Sequence, residues 1–362
     1  MSTMVKKPAP DQVRTGLGQI VRVPGVGITL RVAPRVLVVV GILLVLTVAV
    51  FVLAVGTGTY KMSPGEVVSA LFGGGDDAQR FIIETIRLPR AITAILVGAA
   101  LGAAGAVFQS VTRNPLGSPD IIGFTSGASA GAVLQIVVFD GGSGAVAVGA
   151  LLGGLGTAAV IWLLAYRGGE GIQGYRLILV GVGVSFVMIA VIDYLQTRAK
   201  LEEAAQANVW ITGTLNGRGW EQVVPVGIAL AVVLPIFFLM ARELRMLEMG
   251  DDAAVALGVR VGWARNVLLL LAVVLTAVAT SATGPVLFVA LSAPQIARRL
   301  TAATGPGVGA AAMTGALLLL VSDFAAQRLF PDQQLAVGVV TGVLGGAYLI
   351  WLLANEWRGG RA

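Results

Sequence analysis

The sequence predicts an all-α polytopic membrane protein with about ten transmembrane helices. Of its 362 residues, 56% are hydrophobic and only 12% are charged, and its mean hydropathy is +0.88; soluble domains carry about a quarter charged residues. Apolar runs of near-spanning length recur along the whole chain, separated by short groups of Lys, Arg, Gly and Pro. The net charge of +6 is spread among those groups rather than gathered on one basic face. It therefore reads as membrane topology and not as a nucleic-acid surface.

Residues 1–35 carry Lys6, Lys7, Arg14, Arg22, Arg31 and Arg35 among scattered Pro and Gly, with no long apolar run. They are expected to form a basic, disordered cytoplasmic tail. Val36 to Val55 is long enough to cross a bilayer and longer than a signal-peptide core, so it should remain as an anchor. Further spans are expected at 91–108, 121–139, 145–166, 177–196, 223–241, 266–282, 285–297, 308–323 and 335–353. Val267 to Pro294 is almost continuous. As one helix it would reach roughly 42 Å against an apolar core of about 30 Å, so Gly284-Pro285 is the natural break. The transmembrane domain then covers 36–355, and 356–362 form a second cytoplasmic tail. With ten spans, seventeen of the 25 Lys and Arg fall in the tails and on one set of loops and eight on the other. The excess supports both termini in the cytoplasm, and the expected location is the cytoplasmic (inner) membrane, crossed many times.

Two local patterns refine this outline. Gly98 and Gly102, then Gly123, Gly127 and Gly131, Gly149 and Gly153, and Gly338, Gly342 and Gly346 recur at every fourth position. Such faces let helix backbones approach closely, here within one subunit. The turn RNPLGSPD, residues 113–120, joins the second and third spans. Pro115 and Pro119 should stop helices, Arg113 should anchor the inside face, and Asp120 should cap the next helix.

The chemical repertoire is narrow. The chain has no Cys and no His, which removes thiolate and imidazole metal sites, disulfides and His-dependent catalysis. No Gly-rich nucleotide loop is present, since none of Lys6, Lys7, Lys61 and Lys200 follows a Gly. No catalytic residue and no metal site are therefore assigned. Asp193 and Asp323 lie near the outer ends of their spans and are expected to be solvated or Arg-paired. A deep, protonatable carboxylate at either position would instead suit an ion-coupled carrier.

Two segments look suited to soluble partners. On the inside, Asp251 and Asp252 follow Gly250 and open a short helix that Gly258 can end, which makes either a docking element or a polar connector. On the outside, Arg87-Leu88-Pro89-Arg90 and Arg328 could snorkel to the interface, or form a positive patch for an acidic partner.

The stretch RLPRAITAILVGAALGAAGAVFQSVTRNPLGSPDIIGFTSGASAG resembles the FecCD-type permease subunits of ABC importers for iron-siderophore complexes and cobalamin. So do WITGTLNGRGW at 210–220, LEMGDDAAVALGV at 247–259, and GPVLFVALSAPQIARRL with the later AVGVVTGVLGGAYLIWLL. The resemblance covers nearly everything after residue 60. It implies a type II importer fold and a transport subunit, not an enzyme, with no cofactor of its own. Its implied partners are a second permease subunit of the same type in a heterodimer, two ATPases that carry ATP-Mg, an extracytoplasmic siderophore-binding protein and the surrounding membrane lipid, with no nucleic acid.

By the same resemblance Arg87, Arg90 and Arg328 would receive the binding protein, and Met249, Gly250, Asp251, Asp252, Ala253, Ala254, Leu257 and Gly258 would couple to the ATPases. Gln173, Gly174 and Tyr175 would sit near a cytoplasmic gate, and the fifth and tenth spans would line the pathway and the subunit interface. The implied substrate is a ferric siderophore, first a catecholate such as ferric enterobactin, with hydroxamates, haem or cobalamin as alternatives. Two positions depart from the family pattern: Gln295 stands where a His is usual and Ala336 where a Pro is usual.

Overall fold

The computed structural model describes residues 14–15, 18–22, 29–32, 34–58, 60, 62–71, 73–120, 123–166, 174–329 and 335–359. Within the N-terminal tail, expected to be disordered, β1 (Arg14–Thr15), β2 (Gly18–Arg22) and β3 (Thr29–Val32) pair as an antiparallel sheet in that order. Gln19 faces Arg14 on one side and Val32 on the other. The alternation in TLRV and the β-branched Ile20 and Val21 are the local signals that this part of the tail can pair.

Everything described after the tail is helical or connecting. The elements are α1 (Pro34–Gly56), α2 (Pro64–Leu71), α3 (Asp77–Phe81), a π-helical turn (Ile82–Arg87), α4 (Leu88–Thr112), α5 (Phe124–Val137), α6 (Ser143–Ala165) and α7 (Gly174–Arg198). They continue with α8 (Leu201–Thr212), α9 (Trp220–Leu239), α10 (Ala241–Glu248), α11 (Asp251–Ala256), α12 (Val261–Thr283), α13 (Val289–Thr301), α14 (Val308–Arg328) and α15 (Val337–Gly359). Seven helical stretches among the described residues are long and apolar enough to cross a membrane, and Phe124–Val137 and Val337–Trp351 are shorter apolar helices. The chain is a multi-pass membrane protein.

The expected span at 285–297 is the one that changes most. The break at Gly284 is present, with φ +76 at the end of α12. Residues 285–288 then run without helical pairing before α13 begins. At 13 residues α13 is about 20 Å long, and it carries Arg298 and Arg299 in its last turn. An apolar run predicts burial, and burial here belongs to a short helix inside the protein, not to a full crossing.

The core is organised on α4, which packs against α9, α12, α13 and α14. Its small residues explain why. A Cβ on Gly98 would lie 2.3 Å from the Gly315 carbonyl oxygen, and one on Gly102 would lie 2.3 Å from that of Ala311. The α5–α6 contact is built alike: a Cβ on Gly131 would reach 2.1 Å from the Gly149 carbonyl oxygen, and one on Gly153 would reach 2.4 Å from that of Gly127. The spacings on α4, α5 and α6 therefore join helices of the same chain, as expected, whereas Gly342 and Gly346 on α15 meet no atom within 4 Å.

The π turn before α4 was not legible in the sequence. Pro89 has no N–H to return to the Thr85 carbonyl, and just before it the Leu88 N–H reaches back five residues to Ile83 O. The wider turn lets one helix run from Asp77 to Thr112 with Arg87 at the junction.

Candidate functional sites at the two ends of helix α4

Helix α4 has 25 residues, about 37 Å of rise, and carries one candidate site at each end. Near its start lie Arg87, Arg90 and Arg328, with different tasks. Arg87 Nη1 and Nη2 donate to the carbonyls of Val55 at 2.8 Å and Tyr60 at 2.6 Å, which ties the end of α1 and its following loop to the π turn. Trp220 Nε1 donates to Glu84 O at 2.9 Å and fixes α9 to the same turn. Arg328 is exposed beside the Phe324 ring, near enough to Arg87 for the two charges to repel.

Arg90 faces inward. Its Nη2 lies 2.8 Å from Asp323 Oδ1 and its Nε 3.0 Å from Oδ2. Gln327 Nε2 donates to the same carboxylate at 2.8 Å. The side chain of Asp323 is 2% exposed and that of Arg90 14%, so this is a desolvated, fork-shaped ion pair. Asp323 is thus Arg-paired, one of the two states expected for it. Arg90, expected to face a docking partner, is committed to this pair instead. Asp193 lies on an exposed stretch of α7.

The other end is built around the turn RNPLGSPD. Helix α4 stops at Arg113, whose φ of +52 lets the chain turn back before Pro115. Arg113 Nη2 then lies 3.4 Å from Asp251 Oδ1, and Arg265 Nη2 lies 2.6 Å from the same oxygen. The hydrogen bond from Arg265 is the chief cause that holds the Asp251 carboxyl below its usual pKa, with both arginine charges adding to it. Gly250 precedes it at φ +110, and a Cβ there would also press on Arg113 Nη1 at 3.3 Å.

This clamp presents a short helix outward. Residues Asp251–Ala256 form α11, with Asp251 and Asp252 in its first turn and Gly258 at φ +81 just after it. Ala254 is fully buried, whereas Met249 is 66% and Val255 61% exposed. Leu257 and Trp263 are exposed beside them, so the connector offers an apolar surface. Helix α10 anchors it from behind through buried Leu244 and Leu247, and Glu248 Oε1 accepts from Ser110 Oγ at 2.6 Å. Sequence reasoning identified Met249–Gly258 but missed Ser110, Glu248 and Arg265 as its supports. The signal for Arg265 was a cation in the first turns of an apolar span, where it needs a partner.

Gln295 proves to be structural. Its Nε2 donates to Gln109 Oε1 at 2.8 Å and to Pro115 O at 3.0 Å, and Gln109 Nε2 donates to Leu291 O at 3.0 Å. It bridges α13 to α4 and the turn, which an amide can do as well as an imidazole. Asp120 does not cap α5 as expected: the N-cap is Gly123, with no side-chain cap bond. Both Asp120 oxygens are buried without a hydrogen-bond partner among the described residues, and burial raises its pKa to about 7. Of the expected gate residues, Gly174 opens α7 and Tyr175 is 79% exposed, while Gln173 lies outside the described residues.

The profile of the FecCD transport family matches residues 45–355. The chain is 43% identical over 302 residues to the ferric enterobactin transport system permease protein FepG of Escherichia coli (strain K12), covering 83% of this chain and 91% of that one. It is 37% identical over 320 residues to the achromobactin transport system permease protein CbrC of Dickeya dadantii (strain 3937), covering 88% and 91%. A solved chain described as an inward-facing conformation of a metal-chelate type ABC transporter superposes with a TM-score of 0.78 at 28% identity, covering 88% of this chain and 99% of that one. With a glycine-packed bundle, a clamped connector at one end of α4 and an arginine cluster at the other, the chain belongs to the FecCD transport family of permease subunits.

Proposed function

We propose that this chain is one permease subunit of an ATP-driven importer for ferric siderophores, with a catecholate such as ferric enterobactin as substrate. The observation that carries the reading is the clamped connector. A short helix held by Arg113 and Arg265, with Met249, Val255 and Leu257 exposed, is built to receive force from a soluble partner. Two ATPases carrying ATP-Mg would press on it, and α4, joined to it through Arg113, would pass the motion toward the opposite end. Both termini would lie with the connector in the cytoplasm, as the charge bias of the loops favours.

At the opposite end Arg87 and Arg328 would meet acidic groups of an extracytoplasmic binding protein, with Arg90 and Asp323 as the rigid support beneath them. A second FecCD-type subunit would cover α7 and α15. Phe186 on α7 and Val343 on α15 are exposed in the single chain, and Gly342 and Gly346 face open space. Gln173, Gly174 and Tyr175 at the start of α7 would border the gate. The catecholate assignment leans on the relative named for ferric enterobactin; the relatives named for hydroxamate and hemin transport are less similar, at 34% and 32% identity. An ion-coupled carrier fits less well, because the buried carboxylate it would use, Asp323, is already paired.

The test is uptake of iron-loaded catecholate and hydroxamate siderophores by cells that lack this chain and cells that regain it. Selective loss and recovery of the catecholate is expected. Unchanged uptake of both would refute the assignment.

A further inference from the structure

A long groove of about 1340 Å³ opens on the side of the bundle between α1, α4, α9 and α14. Along most of its length it is apolar, with Val40, Leu44, Phe51, Leu96, Leu234 and Met313 among its walls. At one end the chemistry changes: Arg35 and Arg245 line the mouth together with the loop from Thr301 to Gly307. Both arginines are exposed. Among the described residues each spends only its Nε on the protein, Arg35 donating to Leu300 O at 3.0 Å and Arg245 to Ala241 O at 3.2 Å. The guanidinium Nη groups are left for a ligand. Among the described residues no acidic side chain lines the groove.

We infer that this groove is a binding site for one anionic phospholipid, with its acyl chains along α1, α4, α9 and α14 and its phosphate held between Arg35 and Arg245. The occupant follows from the split chemistry: an apolar volume at the depth of the spans, closed at one end by two cations, is complementary to a molecule with long chains and one anionic head. A second protein helix would fill the apolar length but leave both guanidinium groups without an anion. The site also sits at a working position. Arg245 is on α10, the helix that supports the connector, and Arg35 ties α1 to the end of α13, so one headgroup would brace three elements behind Met249–Gly258. The inference requires only that the chain spans a membrane, and it stands or falls apart from the choice of siderophore.

The test is native mass spectrometry of the full chain, purified with its co-expressed partner chains, delipidated and titrated with phosphatidylglycerol or phosphatidylcholine. One tightly retained phosphatidylglycerol per copy of this chain is expected, with phosphatidylcholine lost at the same activation energy. Arg35→Gln with Arg245→Gln should weaken phosphatidylglycerol retention on the order of thirtyfold and leave assembly by size exclusion unchanged. Met313→Trp, which fills the groove without changing charge, should displace the lipid as well. Equal retention of both lipids, or retention insensitive to both variants, would overturn the site and leave only annular lipid. A groove occupied by another protein chain that excludes phosphatidylglycerol would overturn it too.

Discussion

The guanidinium of Arg90 lies along the carboxylate of Asp323, with Nη2 2.8 Å from Oδ1 and Nε 3.0 Å from Oδ2, and the pair joins α4 to α14 where their glycines bring the backbones together. Removing either partner strands a charge in an apolar setting. Arg90→Ala or Asp323→Ala should each cost about 3–5 kcal/mol, whereas replacing both with leucine should recover most of the loss. Thermal unfolding in detergent checks this. Equal losses for single and double variants would mean that the pair is not the source of the stability.

Docking charge and structural charge can be separated in the same cluster. Arg328→Glu should lower uptake while leaving folding and assembly intact, because its side chain is exposed and, in the proposed complex, would meet the partner's acidic groups. Arg90→Glu should instead fail at assembly. Binding-protein affinity measured against salt should fall for Arg328→Glu, with a weaker salt dependence than in the parent.

At the connector, Asp251 is the shared target of two arginines, and its carboxyl titrates below the usual range. The clamp is therefore fully charged above about pH 4 and is lost only as the pH falls through that lowered value. Asp251→Ala should uncouple the complex: ATP hydrolysis persists while transport falls on the order of tenfold. Arg113→Ala should act in the same direction but less, since its contact is longer, 3.4 Å against 2.6 Å.

Asp120 gives the opposite pH behaviour. Its pKa is raised to about 7 by burial, so between roughly pH 4 and 7 the folded chain holds a proton that the unfolded chain releases. Stability should fall as the pH rises through that window. Asp120→Asn should stabilise the protein by at most about 4 kcal/mol at pH 8 and by only about 1.5 kcal/mol at pH 5. Melting curves at the two pH values check the sign.

Much of this was legible in the sequence for a physical reason: apolar length and small-residue spacing are properties of a single segment. The spans around α4, α12 and α14 and the break at Gly284 follow from them, as do the glycine contacts of Gly98, Gly102 and Gly131. What was not legible depends on two segments meeting. Gln295 reaching Gln109 and Pro115, Arg265 reaching Asp251, and the inward turn of Arg90 toward Asp323 are tertiary choices among several local options. The shortening of 285–297 to α13 belongs to the same class, because an apolar run looks alike whether lipid or protein covers it.

The most direct test reconstitutes this chain with a co-expressed FecCD-type permease subunit, the proposed ATPases and a siderophore-binding protein in liposomes, and measures accumulation of a ferric catecholate. Accumulation that requires both ATP and the binding protein, and that is lost with Asp251→Ala, is expected. Accumulation driven by an imposed proton gradient without ATP would contradict ATP-driven import.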